Sequence, residues 1–410
     1  MNRKRKIAFV SSFIPRKCGI ATFTSDLINN MYRAHDNQFE PLIVAMQSEN
    51  ELTYNKKVKF RIRKNVKYDY ISAAEYLNFT DIDVVSVQHE FGLFGGRGGS
   101  FINLFLKRLN KSIITTLHTI LEKPETEYFD SLKELCCESD KIIVMNRRGI
   151  KMLCNIYDVP LKKIELIPHG VPDLPFIDSN YYKNKLALSG RKTILTFGLL
   201  GRNKGIEVML KALPPIVKAE PSVLYIILGS THPEVLRCEG QSYKHELEKI
   251  VNDLGLHRNV VFYDRFVDKS ELLEFLAAAD IYVTPYLHQE QLTSGTLAFA
   301  VGAGKAIVST PYWAAKELLA KGRGKLVPFG SYKDIARTVI RILKDSCLSF
   351  NMRKKAYEYG RSMTWPKVGK AYCKLIETQI PLTSIPLQTI AKTQRWKTAS
   401  YSQKKTCLPA

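Results

Sequence analysis

Short, nearly uninterrupted apolar runs alternate with longer amphipathic stretches along most of this chain. A run with no polar face must be buried on both sides, and a parallel sheet covered by helices on both faces does this. The first series of such runs is Lys6–Phe13, Glu40–Met46, Val84–Gln88, Ile113–Leu117, Lys141–Met145 and Ile164–Ile167, with a helical pattern from about Ala21 to Tyr32. Pro168, Pro172 and Pro175, followed by the polar run Asp178–Lys185, then read as a linker reaching about Arg191. A second series follows: Thr193–Gly198, Val223–Leu228, Val260–Tyr263, Ile281–Thr284 and Ala306–Ser309. The fold class is therefore α/β, with two Rossmann-like doubly wound domains spanning 1–175 and 190–364 and facing across a cleft. Residues 331–380 read as helical, and Trp365-Pro366 starts a final helix over 365–380.

Composition narrows the class. No stretch approaches the roughly 18–20 uncharged apolar residues that a bilayer span needs, and Ile7–Val10 is too short for the apolar region of a leader. The eight cysteines are scattered without a CxxC pair, which argues against a disulfide framework or a zinc site. The expected location is cytoplasmic. Lys and Arg number 61 against 39 Asp and Glu, a formal charge of +22. Such an excess could attract nucleic acid, an anionic membrane surface or phosphorylated small molecules, but no nucleic-acid recognition module is present. The segment 381–410 has five basic residues and no acid, and is expected to be a disordered tail. It could touch a membrane or simply be solvated.

Several residues are placed to carry chemistry. Gly19 falls in the first strand-to-helix turn, where a missing side chain lets an anion approach a helix N-terminus; a plain tight turn explains it equally. Arg202 and Lys204 follow the first strand of the second domain in a glycine-bearing loop, Phe197-Gly-Leu-Leu-Gly-Arg-Asn-Lys-Gly205, suited to neutralising a diphosphate. His89, His118 and His169 lie at or just past strand ends on the cleft side, where they could meet substrate hydroxyls or serve as structural caps. Glu90 could act as a base or accept a sugar hydroxyl, or be acidic for solubility alone. Gly95-Gly-Arg-Gly-Gly99 reads as a segment lining the cleft or as a simple linker. Thr293, Ser294, Gly295 and Thr296 open a helix of small residues, again an anion site or an ordinary N-cap.

Taken together, PRKCGIATFT, QHEFGLFGG, TTLHT, IPHGVPD, TFGLLGRNKGIE, ILGSTHPE, ADIYVTP and SGTLAFAVGAGKAIVST resemble the GT-B glycosyltransferases. The likeness is to retaining group 1, or family 4, enzymes with nucleotide-sugar donors, and it covers about residues 5–380. It implies an acceptor domain over 1–175, a donor domain over 190–364, and a last helix crossing back onto the first domain. Gly19 matches the glycine near the donor phosphates, Lys204 the phosphate-binding lysine, and His118 the histidine near the transferred sugar. Gln291 and Phe299 stand where the family has two glutamates eight positions apart, the second of which commonly holds the ribose hydroxyls. Leu199 stands at the family's usual arginine, for which Arg202 could substitute. The chain therefore resembles a divergent branch lacking the two-glutamate motif. The implied partners are a nucleoside diphosphate sugar and a carbohydrate or lipid-linked acceptor, with peripheral membrane contact compatible and nucleic acid not expected. No cofactor or metal is expected. The rival readings are a non-catalytic nucleotide-sugar binding protein and another GT-B reaction such as nucleotide-sugar epimerisation.

Overall fold

The computed structural model describes residues 4–34, 39–47 and 52–380; the basic tail, 381–410, lies outside them. The amino-terminal lobe holds seven strands: β1 (Arg5–Ser11), β2 (Phe39–Gln47), β3 (Val58–Arg63), β4 (Val84–His89), β5 (Ser112–Leu117), β6 (Lys141–Val144) and β7 (Ile164–Leu166). They form one parallel sheet in the order β3-β2-β1-β4-β5-β6-β7. The carboxy-terminal lobe repeats the plan with β8 (Lys192–Phe197), β9 (Val223–Leu228), β10 (Val260–Tyr263), β11 (Ile281–Thr284), β12 (Ala306–Ser309) and β13 (Lys325–Leu326). Its order is β10-β9-β8-β11-β12-β13, also parallel. In each sheet the winding reverses beside the first strand, between β1 and β4 and between β8 and β11. The loops leave in opposite directions at such a point, so a crevice opens beyond the carboxyl ends of the strands.

Among the elements that escape the apolar-run reading, two are informative. In β3, Val58, Phe60 and Ile62 alternate with the exposed Lys59, Arg61 and Arg63. It is an edge strand with one wet face, and its cations hide the period of two. The polar run after Asp178 is not a linker but a helix, Ser179–Lys185, capped by Asp178. Lys183 is its buried anchor: it pairs at 2.6 Å with Asp280, which also accepts from Ser179 Oγ at 2.9 Å.

The chain crosses between the lobes twice, side by side. Val171 N–H donates to Met363 O at 2.8 Å, and Trp365 N–H donates to Val171 O at 2.9 Å. Trp365 is buried against Gly170, where a Cβ would lie 2.2 Å from the indole ring, so only glycine leaves room for it. The last helix, Trp365–Glu377, opens with a proline in its first turn, where no N–H is needed. It buries Val368, Tyr372 and Ile376, four residues apart, along the amino-terminal lobe. Its neighbour is the helix Gly19–Ala34, and a Cβ at Gly369 would lie 2.8 Å from the carbonyl carbon of Asn30.

The lobes also interlock elsewhere. Leu292 and Trp313 of the second lobe sit in the hydrophobic core of the first. Asn146 Nδ2 donates to Leu292 O at 2.5 Å, and Lys269 pairs with Asp26 at 2.6 Å. Trp365→Ala is expected to destabilise the protein by about 3–5 kcal/mol, because it empties a buried site that both lobes surround. Urea unfolding of the variant against the wild type measures this.

Candidate functional site

On the carboxy-terminal side the site is built at the switch point between β8 and β11. Gly198 follows β8 with φ +122°, and a Cβ there would meet Thr296 Cγ2 at 3.2 Å. This close approach brings the strand end against the first turn of the helix Gly295–Gly302, whose N-cap, Ser294, accepts from the Leu297 N–H. Lys204, in the short helical turn Arg202–Lys204 that follows β8, rests on Tyr286 after β11. Its Nζ is 2.9 Å from the phenol oxygen and 4.1 Å from the ring centroid. The Tyr286 hydroxyl in turn lies 3.4 Å from Thr296 Oγ1. A cation, two hydroxyls and the free N–H groups of a helix start thus converge, an arrangement suited to an anion. Thr293 adds a buried hydroxyl with no partner among the described residues.

The amino-terminal side presents two histidines to the same place. A Cβ on Gly295 would lie 2.9 Å from His169 Nε2, so this ring closes directly over the helix start. Its Nδ1 lies 2.8 Å from Gly170 O. Phe23, in the second turn of the helix that begins at Gly19, touches His169 and His118 edge-on, with ring centroids at 5.1 and 4.9 Å. At Gly19 itself a Cβ would meet no atom within 4 Å, so the space before that helix is open. Phe299 faces His169 from the second lobe at 6.0 Å and is buried. At the position where the resemblance puts a ribose-holding glutamate, this chain has an interlobe packing residue.

Side-chain alternation decides which residue of each strand end matters. Ile114 and Thr116 of β5 point to the face covered by the last helix, and His118 follows them on that face. In register, Gln88 lies opposite Thr116 and His89 opposite Leu117. Gln88 therefore shares the face of His118 and bonds it, Oε1 to Nε2, at 3.1 Å. His89 points the other way and does not belong to the site. It is fully buried between Phe91 and Phe94, and neither ring nitrogen has a partner among the described residues. Gln88 is the residue that sequence reasoning missed, although counting by twos from His118 along the paired strands would have reached it.

Arg202 is a second correction. Its guanidinium turns outward, donating to Glu239 at 2.7 Å and to both oxygens of Glu246 at 2.8 Å. Two carboxylates already satisfy it, so it is not a phosphate ligand in this arrangement. Gln291 spends its amide on Thr293 O at 2.6 Å, within a loop held to Trp313 and Ala314 by main-chain bonds. Glu90 is enclosed and accepts from Thr119 Oγ1 at 2.5 Å; burial holds its carboxyl above the ordinary value. The chain's Asp-x-Asp triplet, Asp81-Ile82-Asp83, lies at the wrong end of the sheet for metal chemistry in the cleft. Asp83 accepts from the Lys6 N–H at 2.8 Å as β1 begins. Among the described residues, no group of three His, Cys, Asp or Glu side chains is placed to hold a metal ion.

Burial also sets the charge of the three histidines. It pushes His89 down to about 3 and His169 to about 4. His118 falls to about 3, through burial first and then through His169 and His89 beside it. All three are neutral near pH 7, so they offer hydrogen bonds rather than positive charge.

Comparison with solved structures identifies the architecture as the GT-B fold. Sucrose-phosphate synthase from Thermosynechococcus elongatus superimposes with a TM-score of 0.74 at 16% identity, covering 91% of this chain and 98% of that one. Anabaena HepE, solved in complex with UDP and glucose, gives 0.70 at 14% identity over 91% and 100%. Residues 178–363, in the carboxy-terminal lobe, match the family model for glycosyl transferases group 1. Among relatives, the phosphatidyl-myo-inositol mannosyltransferase of Mycolicibacterium smegmatis is 29% identical over 238 residues, 58% of this chain and 57% of that protein. The match thus spans little more than half the length of either. An uncharacterized glycosyltransferase of Methanocaldococcus jannaschii is 24% identical over 92% of this chain and 99% of its own length. Among the described residues, no helix is long and apolar enough to cross a membrane.

The histidines and the misplaced arginine each lead to a measurable outcome. A histidine held neutral in the fold but free to charge when unfolded removes stability as pH falls below its unfolded value, because the unfolded chain then binds more protons. The free energy of unfolding is therefore expected to drop between about pH 6.5 and pH 4, and His89→Phe to flatten that slope by about 1 kcal/mol per pH unit. Urea titrations at stepped pH read both. Arg202→Ala is expected to leave the turnover of the reaction proposed below within about twofold, as measured by steady-state kinetics.

Proposed function

We propose that this protein is a glycosyltransferase that moves a sugar from a nucleoside diphosphate sugar to an acceptor hydroxyl, with retention of anomeric configuration. The observation that carries the reading is the meeting of Lys204, Tyr286 and Thr296 at the start of the helix Gly295–Gly302 with His169 and His118 across the cleft. As the bond between the anomeric carbon and the diphosphate breaks, negative charge grows on the leaving oxygens. Lys204 and the N–H groups near Gly295 are positioned to stabilise that charge, typically the largest single catalytic effect. No metal or other cofactor is needed for this step as we read it, and no protein nucleophile is assigned. The neutral His118 and His169 would accept or donate hydrogen bonds at sugar hydroxyls, and Gly19 leaves room before the helix that opens the acceptor lobe.

The UDP complex of HepE supports a nucleotide-sugar donor. The likeness to a phosphatidyl-myo-inositol mannosyltransferase supports a lipid-linked acceptor. Phe299 favours one second reading, a nucleotide-sugar binder without transfer, because it removes a carboxylate from the ribose position. Product analysis with a labelled donor and an acceptor separates the two. On the primary reading, Lys204→Ala lowers turnover at least about a hundredfold with the fold intact. Near-wild-type transfer by that variant would overturn the assignment. A thermal-shift screen of UDP-, GDP- and ADP-sugars should single out the donor by raising the melting temperature.

A further inference from the structure

Behind His118 lies a closed line of polar groups that the transfer chemistry does not use. Gln88 is fully buried, and its Oε1 faces His118 Nε2 at 3.1 Å. Its Nε2 donates to Ser86 Oγ and Thr116 Oγ1, each at 3.4 Å. Thr116 Oγ1 is in turn 3.0 Å from the hydroxyl of Tyr372, a buried residue of the last helix. Each amide group thus meets a complementary partner: both N–H groups face hydroxyl oxygens, and the carbonyl is left for a ring N–H. His118 Nδ1 makes no hydrogen bond among the described residues. Buried polar groups hold one orientation only when each has its partner, which this line achieves without solvent.

We infer that Gln88 is a positioning residue for His118, its Oε1 accepting the Nε2–H so that Nδ1 is left as a hydrogen-bond acceptor for the ligand, with Tyr372 anchoring the pair through Thr116. This rests on the reading that His118 meets the transferred sugar, and it makes Nδ1 the atom that accepts from a sugar hydroxyl. It also gives the last helix a role in the site, since Tyr372 reaches the histidine from an element some 250 residues further along the chain (residues 116 and 372 are separated by 256).

The test reads the ring itself. A long-range proton–nitrogen NMR spectrum of the full chain labelled with 15N-histidine, with His118 assigned by His118→Asn, reports which nitrogen carries the proton. The expected wild-type state is the single Nε2–H tautomer. Gln88→Leu, close in volume, should turn this into a mixture of tautomers. Gln88→Glu places a carboxylate against the same nitrogen and should raise the pH at which His118 charges by about one unit or more. Thr116→Val, which cuts the link to Tyr372 while keeping the shape, should loosen the tautomer preference in the same direction as Gln88→Leu. A wild-type Nδ1–H form overturns the inference, as does a His118 signal unchanged in both Gln88→Glu and Thr116→Val. Those two variants keep the test decisive if Gln88→Leu fails to fold. Turnover is not needed for any of these readings. A protein that shows the expected tautomer but transfers no sugar would overturn the functional reading and leave the positioning role standing. Transfer by a wild type in the Nδ1–H form would do the reverse.

Discussion

The site depends on how firmly one lobe is seated in the other. Leu292, in the loop after β11, and Trp313, at the start of the short helix after β12, complete the core of the opposite lobe. Burying two such side chains removes apolar surface from water at about 25 cal/mol per Å². That contact fixes the loop between Gln289 and Ser294, which in turn sets where the helix Gly295–Gly302 begins. Trp365 does the same from the other side, wedged over Gly170 with Phe23 and His169 at its faces. The polar groups of the cleft thus stand on an apolar seam.

Within that seam, exclusion of water has chemical consequences. The histidines are held neutral because nothing near them repays the cost of burying a charge. Lys204 remains partly exposed, leaning on the electron-rich face of Tyr286, so its charge stays available. One side of the crevice therefore offers neutral hydrogen-bonding rings, and the other offers a cation with oriented amides. This division suits a ligand that is a sugar at one end and a diphosphate at the other. The proline-led helix Trp365–Glu377, with no part in either sheet, reaches the neutral side through Tyr372, whose hydroxyl lies 3.0 Å from Thr116 Oγ1.

Much of the fold was legible because buried parallel strands have to be apolar on both faces, and β1, β4, β5, β8, β9, β11 and β12 were visible for that reason. β3 was not, since an edge strand with Lys59, Arg61 and Arg63 on its wet face looks polar to any reading that seeks continuous apolar runs. The helix Ser179–Lys185 was hidden because its anchor is a buried lysine whose partner, Asp280, lies 97 residues away. In the site, the position of His118 past β5 followed from the run before it. The choice of His89 over Gln88 failed on parity: adjacent residues of a strand face opposite ways, and only the register with β5 says which way is the cleft. Arg202 was misplaced because Glu239 and Glu246, its partners, are 37 and 44 residues distant, and a sequence does not display which charges will meet.

The paired crossings at Val171 and Met363–Trp365 have a mechanical meaning. Two neighbouring segments tied to each other by main-chain hydrogen bonds form a short, stiff brace rather than two loose tethers. His169 stands two residues before one of these segments, so the brace also holds its ring where the helix start at Gly295 meets it.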